Sequence, residues 1–431
     1  MTTAILFGTF FVLIAIGVPI GIALGTASLA AIAYIPFLNF DLYGLGLISG
    51  MDSFTLIAVV LFTVAGNIMS QGGISRRLVA VADHLFGRAP GDLGTVTIIA
   101  CLFFAAISGT GSATVAAIGL AMIPALVDRG YDRAYSAAMV ASAGGLGVMI
   151  PPSVVMIVYA VAAGVSVTAL FLAGVLPGLV VALTLIVYNI SQRRLIAGDL
   201  PLPARHDWRE KIRVLNQAKL ALLMPLVVLG GIYAGIVTPT ESSAVAVVYA
   251  LIVSVFVYRE LPLSRLPGML LESALLVSAV LVIIGASVAF GRIIALEQIP
   301  LALAQFVTEV TQNRYVVIMA AIVLLLIVGT FLETLAAIVI LTPVLLPVLT
   351  RLGVDPVHFG IIMIVALAIG FVTPPLGANL FMAAQVGQIS FDKVARRILP
   401  WVITMIVALL IIAFVPWLSL GLPRLLLDYG P

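Results

Sequence analysis

Seven small or hydroxylated residues, Ser108-Gly109-Thr110-Gly111-Ser112-Ala113-Thr114, interrupt a long apolar run. Hydroxyls at this density, beside glycines that let a ligand reach the backbone, can form a hard-oxygen shell for Na⁺ without any carboxylate. Gly329-Thr330-Phe331-Leu332-Glu333-Thr334 offers the same chemistry with one acid added. Two further stretches carry Pro-Pro pairs: Gly144 to Ser153, with Gly145, Gly147, Pro151, Pro152 and Ser153, and Gly370 to Asn379, with Thr373, Pro374, Pro375 and Gly377. Proline ends or kinks a helix, so each break frees carbonyls on one side and amides on the other. The amide side carries the positive end of a half-helix dipole and favours a carboxylate. These residues form the candidate site for ion and substrate. Na⁺ ligation is expected of Ser108, Thr110, Ser112, Thr330, Thr334 and Thr373, and Gly109, Gly111, Thr114, Gly329 and Asn379 complete the set.

Single polar residues have competing roles. Glu333 is an intramembrane acid, functional by default, or a carboxylate capping the following half-helix. Glu241 is expected to cap a helix at an exposed turn, and Asn67 and Glu272 to serve packing or an interface. Arg292 is either an anion contact or an interfacial anchor whose head snorkels to water.

The elements holding these residues must lie in a membrane. The chain of 431 residues is 63% hydrophobic and 9% charged, with mean hydropathy +1.28; soluble domains average about 25% charged. A pI near 9.1 is no nucleic-acid signal, because the net charge is only +3 and the basic residues sit in loops, where they set orientation. No aromatic interleaving accompanies them. Cys101 alone excludes an intramolecular disulfide and a cysteine metal site. There is no Gly-x-x-x-x-Gly-Lys-Ser/Thr loop, so no nucleotide is expected. Met1-Thr2-Thr3-Ala4 lacks the basic lead of a cleavable signal, so the first apolar run is expected to be retained.

The apolar arms beside the first cluster, Leu93–Ile107 and Val115–Val127, fall short of the ~20 residues of a full crossing. They predict a re-entrant hairpin over 92–127; one long kinked helix is the alternative, its small residues serving close packing. Ile5–Gly17 and Ile20–Pro36 predict two spans turning at Pro19. Phe54–Ser70 follows, with an amphipathic connector, then the hairpin, a broken span over 134–160, and Thr168–Ile190. Residues 191–219 form a linker with seven basic residues and three acids. The plan then repeats: Leu220–Ile236 and Ser242–Tyr258, Leu270–Phe290, a hairpin over 316–349, a broken span over 359–386, and Leu399–Leu420. Pro19 and Pro239 are 220 residues apart, as are Thr114 and Thr334, and the Pro-Pro pairs differ by 223. This predicts an internal duplication: residues 1–190 and 220–431 as two repeats around the linker. Five crossings per repeat make the copies inverted. With the linker cytoplasmic, 17 of the 21 Lys and Arg fall inside, leaving Arg292, Arg314, Arg351 and Arg424 outside. Both termini are then periplasmic. The expected fold is an all-α polytopic protein of inverted repeats whose four breaks meet near the midplane, as in secondary transporters.

Ser108 to Gly119, Thr238-Pro239-Thr240-Glu241, Leu296-Glu297-Gln298-Ile299-Pro300, Gly329 to Thr334 and Gly370 to Pro375 together resemble the large membrane subunit of tripartite ATP-independent periplasmic (TRAP) transporters. The resemblance runs nearly end to end. It implies a Na⁺-driven elevator importing an organic acid across the bacterial inner membrane. It also implies two partners, a small four-helix membrane subunit and a periplasmic substrate-binding protein, with this chain the unfused large subunit. Arg292 departs from the aromatic expected there. The alternative is a stand-alone Na⁺/dicarboxylate symporter of related architecture. An enzyme would need a nucleophile or metal set, whereas His84, His206 and His358 are widely spaced at polar boundaries. A passive channel would lack saturable, gradient-dependent uptake.

Overall fold

In hydrocarbon a backbone has no hydrogen-bond partner but itself, and this chain answers with helices. The computed structural model describes residues 1–35, 38–86, 92–196 and 208–430, and among these no strand occurs. Helix α1 (Thr2–Ala15) meets α2 (Ile20–Tyr34) through Pro19, whose extended backbone starts α2. Then come α3 (Asp41–Met51), α4 (Phe54–Gln71) and α5 (Ile74–Phe86). The arms α6 (Asp92–Ser108) and α7 (Gly111–Asp128) precede α8 (Arg133–Gly144), α9 (Leu146–Met149), α10 (Val154–Ala163) and α11 (Val167–Ile196).

After the linker come α12 (Trp208–Tyr233) and α13 (Pro239–Leu251), the latter running into a π-helical turn, Ile252–Val257. A short 3₁₀ turn leads to α14 (Leu266–Leu296), followed by α15 (Ile299–Val310), α16 (Arg314–Phe331) and α17 (Thr334–Arg351). The chain closes with α18 (Pro356–Gly370), α19 (Ala378–Val386), α20 (Phe391–Phe414) and α21 (Trp417–Leu427). Among the described residues nine helices are long and apolar enough to cross a membrane, or ten if the pair bent by 45° between Met149 and Val154 counts as one span.

Both halves contain a proline-joined pair, a long helix followed by a short one, a hairpin, a helix broken at a cis Pro-Pro bond and a closing helix, while α3 in the first half and α21 in the second have no helix of that length at the matching place. Helices α8 and α18 are capped alike. Asp132 accepts from the Tyr135 N–H at 2.9 Å to start α8, and Asp355 accepts from the Val357 and His358 N–H groups at 2.8 and 3.1 Å to start α18. At α13 Thr238 and Glu241 form a reciprocal capping box, as the sequence predicts for Glu241.

Several limits depart from hydropathy. Hydropathy does not predict α3, because five of its eleven residues, Asp41, Gly44, Gly46, Ser49 and Gly50, are glycine or polar rather than part of an apolar run; its packing partner decides it. Gly46 lies against Ala289, and Gly50 against Gly285 and Val288, so small residues let α3 and α14 approach backbone to backbone. Helix α14 runs past the expected Phe290 to Leu296 because helix propagation does not stop at the edge of an apolar run. The closing span Leu399–Leu420 is instead two helices, broken between Phe414 and Trp417 where Pro416 cannot donate. The linker is helical at both ends, through Ile196 and from Trp208, and residues 197–207 lie outside the described residues, as does Pro36. Both arms of the first hairpin are also longer than expected, 17 and 18 residues.

Candidate functional site

Helix α6 ends at Ser108 and the chain turns over through Gly109 at φ +63°, a conformation glycine takes without strain. A Cβ on Gly109 would lie 2.9 Å from the Pro152 carbonyl oxygen, so the hairpin tip rests on the first break. The Thr110 carbonyl accepts from the Thr114 hydroxyl at 2.9 Å and from the Ser108 hydroxyl at 3.3 Å, and the two hydroxyls are 2.9 Å apart. Gly147 walls this oxygen cluster. A methyl there would overlap the Thr110 carbonyl oxygen and come within 2.6 Å of the Thr114 hydroxyl. Ser108 and Thr114 are 6% and 0% exposed. Thr110 thus enters through its carbonyl, and half-buried Ser112 is not among these hydrogen bonds.

The first break is buried throughout. Gly145 separates α8 from α9, and the cis Pro151–Pro152 bond leads to Ser153. The Ser153 hydroxyl donates to the Val148 carbonyl at 2.8 Å and accepts from the Met156 N–H at 3.4 Å, which caps α10.

At the second tip Gly329 and Gly370 touch: a Cβ on Gly370 would lie 2.5 Å from the Gly329 carbonyl carbon. The Thr330 hydroxyl donates to the Ile327 carbonyl at 2.7 Å and the Thr373 hydroxyl to the Ile369 carbonyl at 2.6 Å. Glu333 is exposed and caps α17 by accepting from the Ala336 N–H at 3.4 Å, and Thr334 is buried on the first turn. The cis Pro374–Pro375 bond leads to Gly377 at φ +28°, where α19 starts.

Asn379, on that first turn of α19, crosses between the two groups. A Cβ on Gly111 would lie 2.9 Å from its Nδ2 and 3.3 Å from its Oδ1. Asn379 is 0% exposed and neither amide atom has a hydrogen-bond partner. Leaving a buried polar group unpaired costs about 1–3 kcal/mol. The halves cross reciprocally here: α19 packs on α7, and α17 packs on α10.

Some contributors carry no local sequence signal. Gly66 of α4 lies against the Ser108 backbone, and Asn67 beside it donates to the Met269 carbonyl and the Ser273 hydroxyl, each at 3.2 Å, tying α4 to α14. His358 sits not at a polar boundary but buried, 2.6 Å from the Ser419 hydroxyl and 3.2 Å from the Ala413 carbonyl. Arg292 donates to the Ser49 hydroxyl of α3 at 2.7 Å.

Residues 7–418 match the family model described as tripartite ATP-independent periplasmic transporter, DctM component. The chain is similar to the isethionate TRAP transporter permease protein DctMQ of Oleidesulfovibrio alaskensis, 45% identical over 96% of this chain and 65% of that protein. It is also similar to C4-dicarboxylate TRAP transporter large permease proteins. The one from Pseudomonas aeruginosa is 41% identical over 86% of this chain and 87% of that protein. The one from Rhodobacter capsulatus is 37% identical over 99% and 100%. Among solved structures, the Alcanivorax borkumensis YdaH transporter shares the fold, with TM-score 0.67 at 15% identity over 97% of this chain and 98% of that one.

Proposed function

The chain belongs to the DctM-component family of tripartite ATP-independent periplasmic transporters, and on that premise we propose how its site works. It is a large permease subunit that imports an organic acid across the bacterial inner membrane on a Na⁺ gradient. A periplasmic binding protein delivers the acid, and a small four-helix subunit braces the chain.

The observation that carries this reading is the unpartnered carboxamide of Asn379 facing the tip of the first hairpin. A buried amide that the chain itself leaves unsatisfied is suited to a polar ligand that comes and goes. Beside it the oxygens of Ser108, Thr110 and Thr114 offer the neutral, hard donors Na⁺ takes, and unwound backbone at a broken helix is where such ions bind in secondary transporters. Thr330, Thr334 and Thr373 offer the second set, with Gly329 and Gly370 leaving the backbone open. The half-helices that start at Gly111, Val154, Thr334 and Ala378 turn N–H groups toward the carboxylate.

The reciprocal packing of α7 on α19 and α17 on α10 supports two inverted repeats, 1–190 and 220–431, with the linker 191–219 cytoplasmic and both termini periplasmic. In this reading the hairpins and broken helices move as one body against a frame built on α1–α3 and α14, an elevator. The names of similar proteins, C4-dicarboxylate and isethionate permeases, support a small organic anion, here a carboxylate.

The test is uptake of labelled C4-dicarboxylates into proteoliposomes holding the chain with candidate small subunits, with and without binding protein and Na⁺. Uptake needing all three supports the proposal. Uptake by the chain alone assigns a stand-alone symporter, and uptake indifferent to Na⁺ overturns the coupling.

A further inference from the structure

A cavity of about 560 Å³ opens at the end of the bundle far from the linker, among the start of α16, the end of α17, the start of α18 and the α20–α21 junction. Arg314 and Arg424 line it, with Tyr315, Thr350, Asp355 and His358. These arginines are two of only four basic residues that charge counting places on this face, so a third dimension has gathered scarce positive charge into one pocket.

Among the described residues neither arginine is held in an ion pair. The Asp355 carboxylate is turned to the α18 N-terminus, and His358 has both ring nitrogens within reach of protein oxygens. Both arginines are exposed, and Arg314 lies over the Tyr315 ring, 4.9 Å from its centroid, and donates to its hydroxyl at 2.9 Å. The pocket is thus built for an anion.

Its surroundings identify the anion's source. Below it α16 exposes Val316, Met319 and Val323, and the end of α20 exposes Ile411 and Phe414, with Val415 just beyond it; Tyr315 and Phe414 bridge the two helices with ring centroids 5.9 Å apart. Helix α21 beside it exposes Trp417 and Leu425, as interfacial helices do. An apolar track leading away from a cationic pocket matches acyl chains below a headgroup, the same pairing by which basic pockets between membrane helices on the cytoplasmic side hold anionic lipid headgroups, here on the opposite face. We propose that Arg314 and Arg424 bind the phosphate of an anionic phospholipid whose tails lie between α16 and α20.

The full chain, delipidated in detergent, is titrated with phosphatidylglycerol, phosphatidylcholine or inorganic phosphate, and adducts are read by native mass spectrometry. Expected is a preference of at least tenfold for phosphatidylglycerol over phosphatidylcholine, abolished in Arg314→Gln/Arg424→Gln and partly kept in Arg314→Lys/Arg424→Lys. Should the double variant not be monodisperse, Arg424→Gln alone, on the terminal helix, is read instead. An unchanged preference in the Gln variants overturns the proposal. So does displacement of the lipid by equimolar inorganic phosphate, which would make the pocket a free-phosphate site.

Discussion

Asn379 of α19 closes over Gly111 of α7, and the two lie in opposite halves of the chain, with nothing but that glycine hydrogen letting the amide approach so closely. Asn379→Leu therefore removes the unpaired amide without removing a protein partner. Expected is an increase of tenfold or more in the Na⁺ concentration for half-maximal uptake, with a thermal midpoint in detergent that does not fall, because an unpaired buried amide is removed. A wild-type Na⁺ curve in this variant would take Asn379 out of the site.

Ser108 and Thr110 separate side chain from backbone. Ser108→Ala deletes a hydroxyl of the oxygen cluster and is expected to weaken Na⁺-coupled uptake while leaving membrane insertion intact. Thr110→Ala keeps the carbonyl that accepts from Ser108 and Thr114 and is expected to retain most activity. Equal losses in both would mean that the Thr110 hydroxyl, not its carbonyl, acts.

Glycines at the crossings are predicted to be intolerant in proportion to what a methyl would meet. Gly147→Ala drives a Cβ into the Thr110 carbonyl, and Gly370→Ala drives one onto the Gly329 backbone. Overpacking of this kind costs about 1–3 kcal/mol or more. Gly230→Ala, where nothing lies within 4 Å, is expected to be neutral or slightly stabilising in its helix, because alanine is the better helix former. Chemical unfolding of the three variants in mixed micelles gives the ranking.

Much of this arrangement is legible before any coordinates. Clusters such as 108–114 and 329–334 are conspicuous because glycine, serine and threonine inside an apolar run cost helix stability and packing, and so mark breaks. Capping at Glu241 follows from local chemistry alone. What escapes is whatever depends on distant chain. Helix α3 is specified by the small residues of α14 it lies on, Asn379 and Gly111 are 268 positions apart, and Arg314 and Arg424 meet only in the folded bundle. The exact ends of α14 and α20 escape for another reason: hydropathy reports where lipid would be, whereas helices continue until a proline or a cap stops them.

Topology has its own check. The native Cys101 is buried, so single cysteines can be introduced against a silent background. Glu210→Cys is expected to react with an impermeant maleimide only in inside-out vesicles, and Arg351→Cys only in right-side-out ones. Reaction of Glu210→Cys from the periplasmic side would reverse the orientation.

Reciprocal crossing of α7 on α19 and of α17 on α10 also decides how the polypeptide can be divided. Neither fragment, severed between 196 and 208, could complete its own interior, since each lends a helix to the other and would display a bare apolar groove if made alone. Co-expressed, the severed pieces should find one another and reassemble, while each by itself should be cleared by proteolysis.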